Sequence, residues 1–408
     1  MPTEMTDVVV TGVGVISAAG PSFFDLAAAL KENRSAASPY ETPLPLRMAA
    51  SVNSPVLPIE GFKDDRKAWL AMAALNEALS DSGGVGEGVV SVFLGTGLSS
   101  VTPAELEEDA YPYLNDAGTD FVKAKLLADL DADHGAPWRH DPVRVTSAVA
   151  SAVGARGPCG TSFSACAAAA QAIAEGLRTI RRGEADVAIV GGHDSMLHPF
   201  GLLSFVVLGA LSPDAGRPFD KHRDGFLIGE GAAMLVLERA DYAKARGAKV
   251  RARLLGAGTS VDGYAATAPQ PEGLGAELAM RAALDDAGLD GAAVDYVNAH
   301  ATATPVGDIA EAAAIARVTP DAAVSSFKGA VGHTIAAAGA IEAAGCIAAL
   351  EGGFIPGTAG LLEVDPVIRI NVLKQTVSRA PRIVLSNSFG FGGQNAALVF
   401  GHAEGTHG

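Results

Sequence analysis

The chain repeats itself. LAMAALNEALSDSG (70–83) returns as LAMRAALDDAGLD (278–290), and each copy is followed by a short loop and an apolar run, SVFLGTG (91–97) and DYVNAHAT (295–302). GEGAAMLVLE (229–238) is echoed by GGQNAALVFG (392–401), and AAAAQAIAEGL (167–177) by TIAAAGAIEAAGCIAAL (334–350). Ala-rich helices resemble one another by composition alone, but three echoes in one order indicate duplication. The halves meet near residue 255, where RARLLGAGTSVDG (251–263) replays the opening VVVTGVGVIS (8–17). Halves are therefore expected at 1–252 and 253–408. The last echo has a shorter spacing than the first, so the first half carries extra residues. Weakly patterned, acid-dense 98–150 is the place for them.

Within each half, apolar runs of strand length alternate with helical patterns. VVVTGVGVIS (8–17), VVSVFLGTG (89–97), ADVAIVGG (185–192) and AAMLVLE (232–238) read as strands. KAWLAMAALNEALSDSG (67–83) reads as a helix with a glycine stop. This rhythm predicts an α/β fold with largely parallel, covered sheets. With 408 residues, 49% of them hydrophobic, a large core is available. GVGVIS (12–17) lacks the third glycine of a dinucleotide fingerprint, so its glycines are assigned to a tight turn against the sheet.

Several partners are disfavoured. A net charge of −16 argues against nucleic acid. Cys159, Cys166 and Cys346 form neither a disulfide framework nor a CxxC pair, which fits a reducing cytoplasm. The first residues carry two acids and no basic region, unlike a signal peptide. No unbroken apolar run of about 18 residues suggests a membrane span.

Three residues stand out chemically. Cys166 follows strand-like GTSFSA and precedes a strong helix former. A thiol at a helix N-terminus faces unpaired N–H groups and the positive end of the helix dipole, which favour thiolate. A small buried hydrophobe is the other reading of a free cysteine, and this stretch alone leaves both open. His300, in VNAHATATPVGD (297–308), ends a strand; His333, in KGAVGHTIAAAGAIE (328–342), begins an Ala-rich helix. Both sit beside small residues, where ligands can approach. One cysteine and two histidines without clustered carboxylates make a poor zinc site, and no metal is expected.

Six segments together resemble a known family: VVVTGVGVIS, TSFSACAAAAQAI, RPFDKHRDGFLIGEGAAMLVLE, VNAHATATPVGD, SSFKGAVGHTIAAAGAIE and SNSFGFGGQNAALVF. In this order they are similar to the elongating β-ketoacyl-acyl carrier protein synthases, condensing enzymes of the thiolase superfamily. The resemblance implies a thiolase-like five-layered αβαβα fold built from two duplicated halves. Cys166 would lie in the first half and His300 and His333 in the second.

The resemblance also implies an activity, an acyltransferase-type decarboxylative Claisen condensation. Cys166 would hold an acyl group as a thioester. Malonyl-acyl carrier protein would lose carbon dioxide, and His300 and His333 would stabilise the resulting enolate. The backbone N–H groups of Cys166 and Phe391 would form the oxyanion hole. Lys328, Asp308, Glu311 and Glu342 match the polar residues supporting the triad, with Lys328 also acting electrostatically. Phe205 matches an acyl-pocket residue, and Phe389 and Phe391, in FGFGG (389–393), match a gate. Lys63, Arg66 and Lys67, spaced for one helical face, match the carrier-docking cluster. The implied partners are an acyl carrier protein and a second subunit, as a homodimer or as a heterodimer with a homologue. No cofactor is implied, because 4′-phosphopantetheine arrives on the carrier.

The chain departs from the family's pattern in places. Ala301 stands for a glycine, Val331 and Gln394 for threonines, and Gly209 for a basic residue. The loop ALSPDAGRPFD (210–220) is short, and 98–145 bears little likeness. These departures favour a specialised type II polyketide or polyene pathway over housekeeping fatty acid elongation. A chain-length-setting partner subunit is the non-catalytic alternative, and retention of Cys166 speaks against it.

Overall fold

The computed structural model describes residues 6–53, 59, 62, 65–97, 111–118, 120, 122–129 and 141–403. Five strands of the large sheet come from the first half: β1 (Val8–Ser17), β2 (Val90–Thr96), β3 (Cys159–Ser162), β4 (Val187–Ser195) and β5 (Glu230–Arg239). Five from the second repeat them, β6 (Ala252–Val261), β7 (Tyr296–Asn298), β8 (Ala323–Ser325), β9 (Ile383–Gly390) and β10 (Gln394–His402), and a two-residue edge strand, Asn371–Val372, is added beside β8. The first set is ordered β1-β5-β4-β2-β3 and the second β6-β10-β9-β7-β8. Adding five to each label of the first order gives the second. The halves join where Val9 and Val10 of β1 pair with Arg253 and Ala252 of β6.

Strand directions repeat as well. β5 runs antiparallel to β1 and to β4, while β4, β2 and β3 are parallel. β10 runs antiparallel to β6 and to β9, while β9, β7 and β8 are parallel. The sheet is thus mixed, not largely parallel as the alternating pattern suggested. In the second half the cause is short chain: only the turn Phe391–Gly393 separates β9 from β10, too little for a crossover.

Six helices repeat with an offset of three labels: α1 (Arg66–Ser82), α2 (Val143–Ala152) and α3 (Ala168–Arg181), then α4 (Leu274–Ala287), α5 (Pro305–Val318) and α6 (Ala338–Gly352). Asp65 caps α1 by accepting the Ala68 N–H, and Gly83 ends it in a left-handed conformation. α2 precedes β3 as α5 precedes β8, so it belongs to the repeat and not to the extra residues. α3 and α6 form a middle layer whose alanines pack against both halves of the sheet. α1 and α2 cover one outer face and α4 and α5 the other, giving five layers. α6 with the turn before it is long and apolar enough to cross a membrane, yet it is buried inside the protein.

The glycines of GVGVIS lie inside β1, and the assignment to a turn is corrected. A Cβ on Gly14 would fall 1.9 Å from Ala74 O of α1. Its counterpart in β6, Gly258, would meet Ala279 O of α4 at 2.2 Å. The missing side chains let a helix lie directly on the sheet.

The middle layer carries the most telling repeat. Ala165 and Ile335 both have φ of 49°, and each opens a three-residue turn, Ala165–Ala167 or Ile335–Ala337, that feeds α3 or α6. Cys166 therefore corresponds to Ala336. The echo read from the sequence set these helices about one turn out of step, because runs of alanine carry no register.

Candidate active site

Cys166 sits on the first of these two elbows. The chain enters it through left-handed Ala165, a conformation that crowds the Cβ of any L-residue. His300 lies just beyond β7, where parallel strands end and the chain can turn over the sheet edge. Its loop is pinned by Glu311 of α5, which accepts from the N–H groups of His300 at 2.8 Å and Ala301 at 2.7 Å. Asn387 of β9 donates to the same carboxylate at 3.0 Å. Asp308 accepts from the N–H groups of Phe219 at 2.7 Å and Ala303 at 3.1 Å, with Arg223 Nε at 3.7 Å. Asp308 thus ties two loops together and does not touch the reacting groups.

His333 is held by its neighbours on three sides. Its N–H donates to Leu227 O, its carbonyl accepts from the Gly229 N–H, and its Nδ1 accepts from the Ile335 N–H at 3.3 Å. With Nδ1 an acceptor, the ring proton belongs on Nε2. That nitrogen lies 3.1 Å from Cys166 Sγ. The two imidazoles stand edge to face, centroids 5.4 Å apart, and the sulfur and one nitrogen of each lie within 4.8 Å of one another.

Lys328 pairs with Glu342 of α6, both side chains buried. Its ammonium sets the local electrostatics. Burial pushes the Cys166 thiol up to about 12, and Lys328 pulls against that rise. Burial thus opposes the stabilisation of a thiolate expected from the helix end. Burial, then Lys328, holds both imidazoles well below the usual histidine value. Two neutral rings can donate hydrogen bonds without releasing a full proton. Burial lifts Glu342 to about 7 against the pull of Lys328, and lifts Asp308 to about 7 as well. A cation bound by Cys166, His300 and His333 would meet the Lys328 charge and a protonated Nε2, so the cluster suits donation better than ligation.

A cavity of about 340 Å³ opens over these groups, lined by Cys166, His300, His333, Phe205, Phe389 and Phe391 among others. Phe205 packs edge-on against Phe226, which packs edge-on against His333. Phe389 leans on His300 with centroids 5.8 Å apart. Gly390 presses on the Cys166 elbow: a Cβ there would fall 3.2 Å from the Cys166 nitrogen. Phe391 follows it directly, so the pair of residues expected to offer N–H groups lies at one corner of the cavity.

The docking cluster is corrected. Lys63 lies outside the described residues. Arg66 turns inward, its Nε donating to buried Glu230 at 2.6 Å. Lys67 Nζ lies 2.8 Å from Asp194 Oδ1, and these side chains are only 6% and 1% exposed. The i, i+3, i+4 spacing of Lys63, Arg66 and Lys67 implies one docking face, but α1 begins beneath β4 and β5 and draws Arg66 and Lys67 inward. Gly209, where a basic residue was looked for, ends the helix Pro199–Val207 with φ of 62°. Sequence reasoning also passed over Asp194 and Asn387. Asp194 lies near the end of β4 and Asn387 within β9, each beside serine, and their partners are distant in sequence.

Comparison with known proteins gives a consistent picture. Residues 58–243 match the family described as "Beta-ketoacyl synthase, N-terminal domain", and 251–362 match its C-terminal domain. A 3-oxoacyl-[acyl-carrier-protein] synthase 2 of Staphylococcus aureus is 36% identical over 355 residues, covering 84% of this chain and 85% of its own. The ishigamide ketosynthase/chain length factor structure superposes with a TM-score of 0.83 at 32% identity, covering 98% of this chain and 99% of that one. A type II polyketide ketosynthase in complex with its acyl-carrier protein, AntDE:AntF, gives a TM-score of 0.86 at 26% identity, covering 98% and 100%.

Proposed function

The chain belongs to the β-ketoacyl synthase family, and from that premise we propose that it joins an acyl group held on Cys166 to malonyl-acyl carrier protein with loss of carbon dioxide. The product is a β-ketoacyl thioester on the carrier. One observation carries the reading: a thiol sulfur 3.1 Å from a proton-bearing imidazole nitrogen, with a second imidazole beside them, at the foot of an apolar cavity.

The residues divide the work. Cys166 attacks the carrier thioester, its carbon–sulfur bond forms, and the carrier thiol leaves with the proton. The backbone N–H groups of Cys166 and Phe391 take the oxyanion. The malonyl thioester then occupies the vacated space, its bond to the carboxylate breaks, and carbon dioxide leaves the electron pair on an enolate. Its enolate oxygen receives hydrogen bonds from His300 and His333, which their neutrality suits for donation. The enolate carbon attacks the acyl-Cys166 carbonyl, and the thiolate is released. Lys328 balances the developing charge, and Glu342 balances Lys328. Phe205, Phe389 and Phe391 shape the space for the acyl chain. No resident cofactor is invoked, because the carrier brings the reactive thioester, and the three cysteines are free as a reducing cytoplasm would keep them.

A second subunit is part of this reading. β3 forms one end of the sheet, its residues are half-buried or exposed, and Phe163 beyond it is 54% exposed. An open edge of this kind suits pairing with a second chain, identical or homologous. For pathway, the departures at Ala301, Val331, Gln394 and Gly209 support specialised type II polyketide or polyene synthesis, with fatty acid elongation the alternative. The test is mass measurement of the carrier after incubation with acyl- and malonyl-carrier. Condensation is expected from the intact protein and none from Cys166→Ala; product formed by the variant would overturn the mechanism. Trapping acyl-Cys166 from a panel of acyl carriers then separates the pathways.

A further inference from the structure

The turn that follows His333 is strained. Ile335 has φ of 49°, and holding a β-branched residue in that region costs about 1–3 kcal/mol unless its surroundings enforce it. The strain has a use. It points the Ile335 N–H back at His333 Nδ1, which leaves the ring proton on the nitrogen facing Cys166. Something must hold the turn, and the next residue shows what does. The Ala336 N–H donates to Asp194 Oδ2 at 3.1 Å.

Asp194 is itself tightly fixed. Its Oδ1 accepts the Ser195 N–H at 2.9 Å and pairs with Lys67. Gly97 is packed so closely that a Cβ there would lie 2.3 Å from Oδ2. A buried carboxylate bonded to a backbone N–H is a strong clamp only while it stays ionised. Lys67 supplies the charge that makes this tolerable. His193, next in sequence, does not, because burial keeps its imidazole neutral, with the adjacent Lys67 charge acting the same way.

We propose that the Lys67–Asp194 ion pair is the positioning device for His333, its carboxylate clamping the strained turn at Ala336 so that Nε2–H stays aimed at Cys166. Both are positioning residues, and Lys67 is not a docking cation. The activity readout rests on the condensing reading above, so a second readout is needed that does not.

The variants are Asp194→Asn, which preserves shape, Asp194→Ala, Lys67→Met, and the double Lys67→Met/Asp194→Asn. Melting temperatures establish that each is folded, and the near-isosteric Asp194→Asn and the charge-neutral double keep the test open where Asp194→Ala or Lys67→Met fails to fold. For condensation, kcat is expected to fall about tenfold or more with KM for the acyl carrier nearly unchanged. The double variant is expected to lose about as much as either single, because the pair acts as a unit. Independently, the rate of Cys166 alkylation by iodoacetamide against pH should shift upward when Nε2–H no longer faces the sulfur. A raised KM with intact kcat in Lys67→Met would restore the docking role and overturn the proposal. So would folded variants with unchanged kcat and alkylation profile. If the intact protein forms no condensation product while Asp194→Asn still shifts the alkylation profile, the condensing reading fails and the positioning role stands.

Discussion

The two halves share one strand order and one elbow, yet they use the elbow differently. In the first half the elbow presents Cys166 and is approached by Gly390, which has no side chain to cover the Cys166 N–H. In the second, the elbow presents Ala336, and Asp194 occupies its N–H. One copy is left uncovered, as the proposed oxyanion role of the Cys166 N–H requires, and the other is filled by a carboxylate. The two corners are alike; the residue on the neighbouring strand decides which stays open and which is filled.

That contrast can be broken deliberately. Gly390→Asp would give the first elbow a carboxylate like that of the second. Acyl transfer to Cys166 should fall roughly 10²–10³-fold, the loss typical of one oxyanion donor, as read by acylation rate. Unchanged acylation would mean that the Cys166 N–H takes no part.

The next effect compares the two buried lysine–carboxylate pairs, Lys328–Glu342 and Lys67–Asp194. Lys328→Met should destabilise the fold by about 3–5 kcal/mol at neutral pH, because Glu342 is left buried without its partner. Denaturant unfolding would measure it. The loss should shrink on acidification, since Glu342 already titrates at about 7 and a neutral carboxyl needs no partner.

Asp308 gives a smaller effect with a definite sign. Its folded-state value of about 7 lies above that of an exposed carboxyl. The folded chain therefore holds a proton that the unfolded chain releases, so stability falls as pH rises from about 4 towards 7. Asp308→Asn should flatten that slope in unfolding measured across the range. A steeper slope would contradict the assignment. The smallest effect is expected at Gly209, where open space surrounds a left-handed residue. Gly209→Lys should cost about 1 kcal/mol, read as a small drop in melting temperature. If it also lowers KM for the carrier, that rim is a docking surface lacking its cation.

Much of this was legible in the chain. Duplication could be read because strand–helix units recur in order, and Cys166, His300 and His333 because each sits where an element ends. The failures share a cause. Spacing along α1 places Arg66 and Lys67 on a face, but only packing says that the face points inward. Nothing near Asp194 announces Lys67, whose sequence position is far away, or Ala336, which offers only a backbone N–H. The alanine runs fixed the helices but hid their register. The helix end beside Cys166 is legible in sequence, but the burial that opposes its effect on the thiol is not.

The middle layer sets one further quantity. Where α3 and α6 cross, a Cβ on Gly339 would fall 2.8 Å from the Ala170 nitrogen, so no side chain separates the two backbones. Cys166 and His333 sit just ahead of these helices. The gap between sulfur and imidazole is thus gauged by main chain resting on main chain, as a spacer shim fixes a clearance. Such a gauge has no rotamers to slip, and it keeps its dimension whatever fills the cavity.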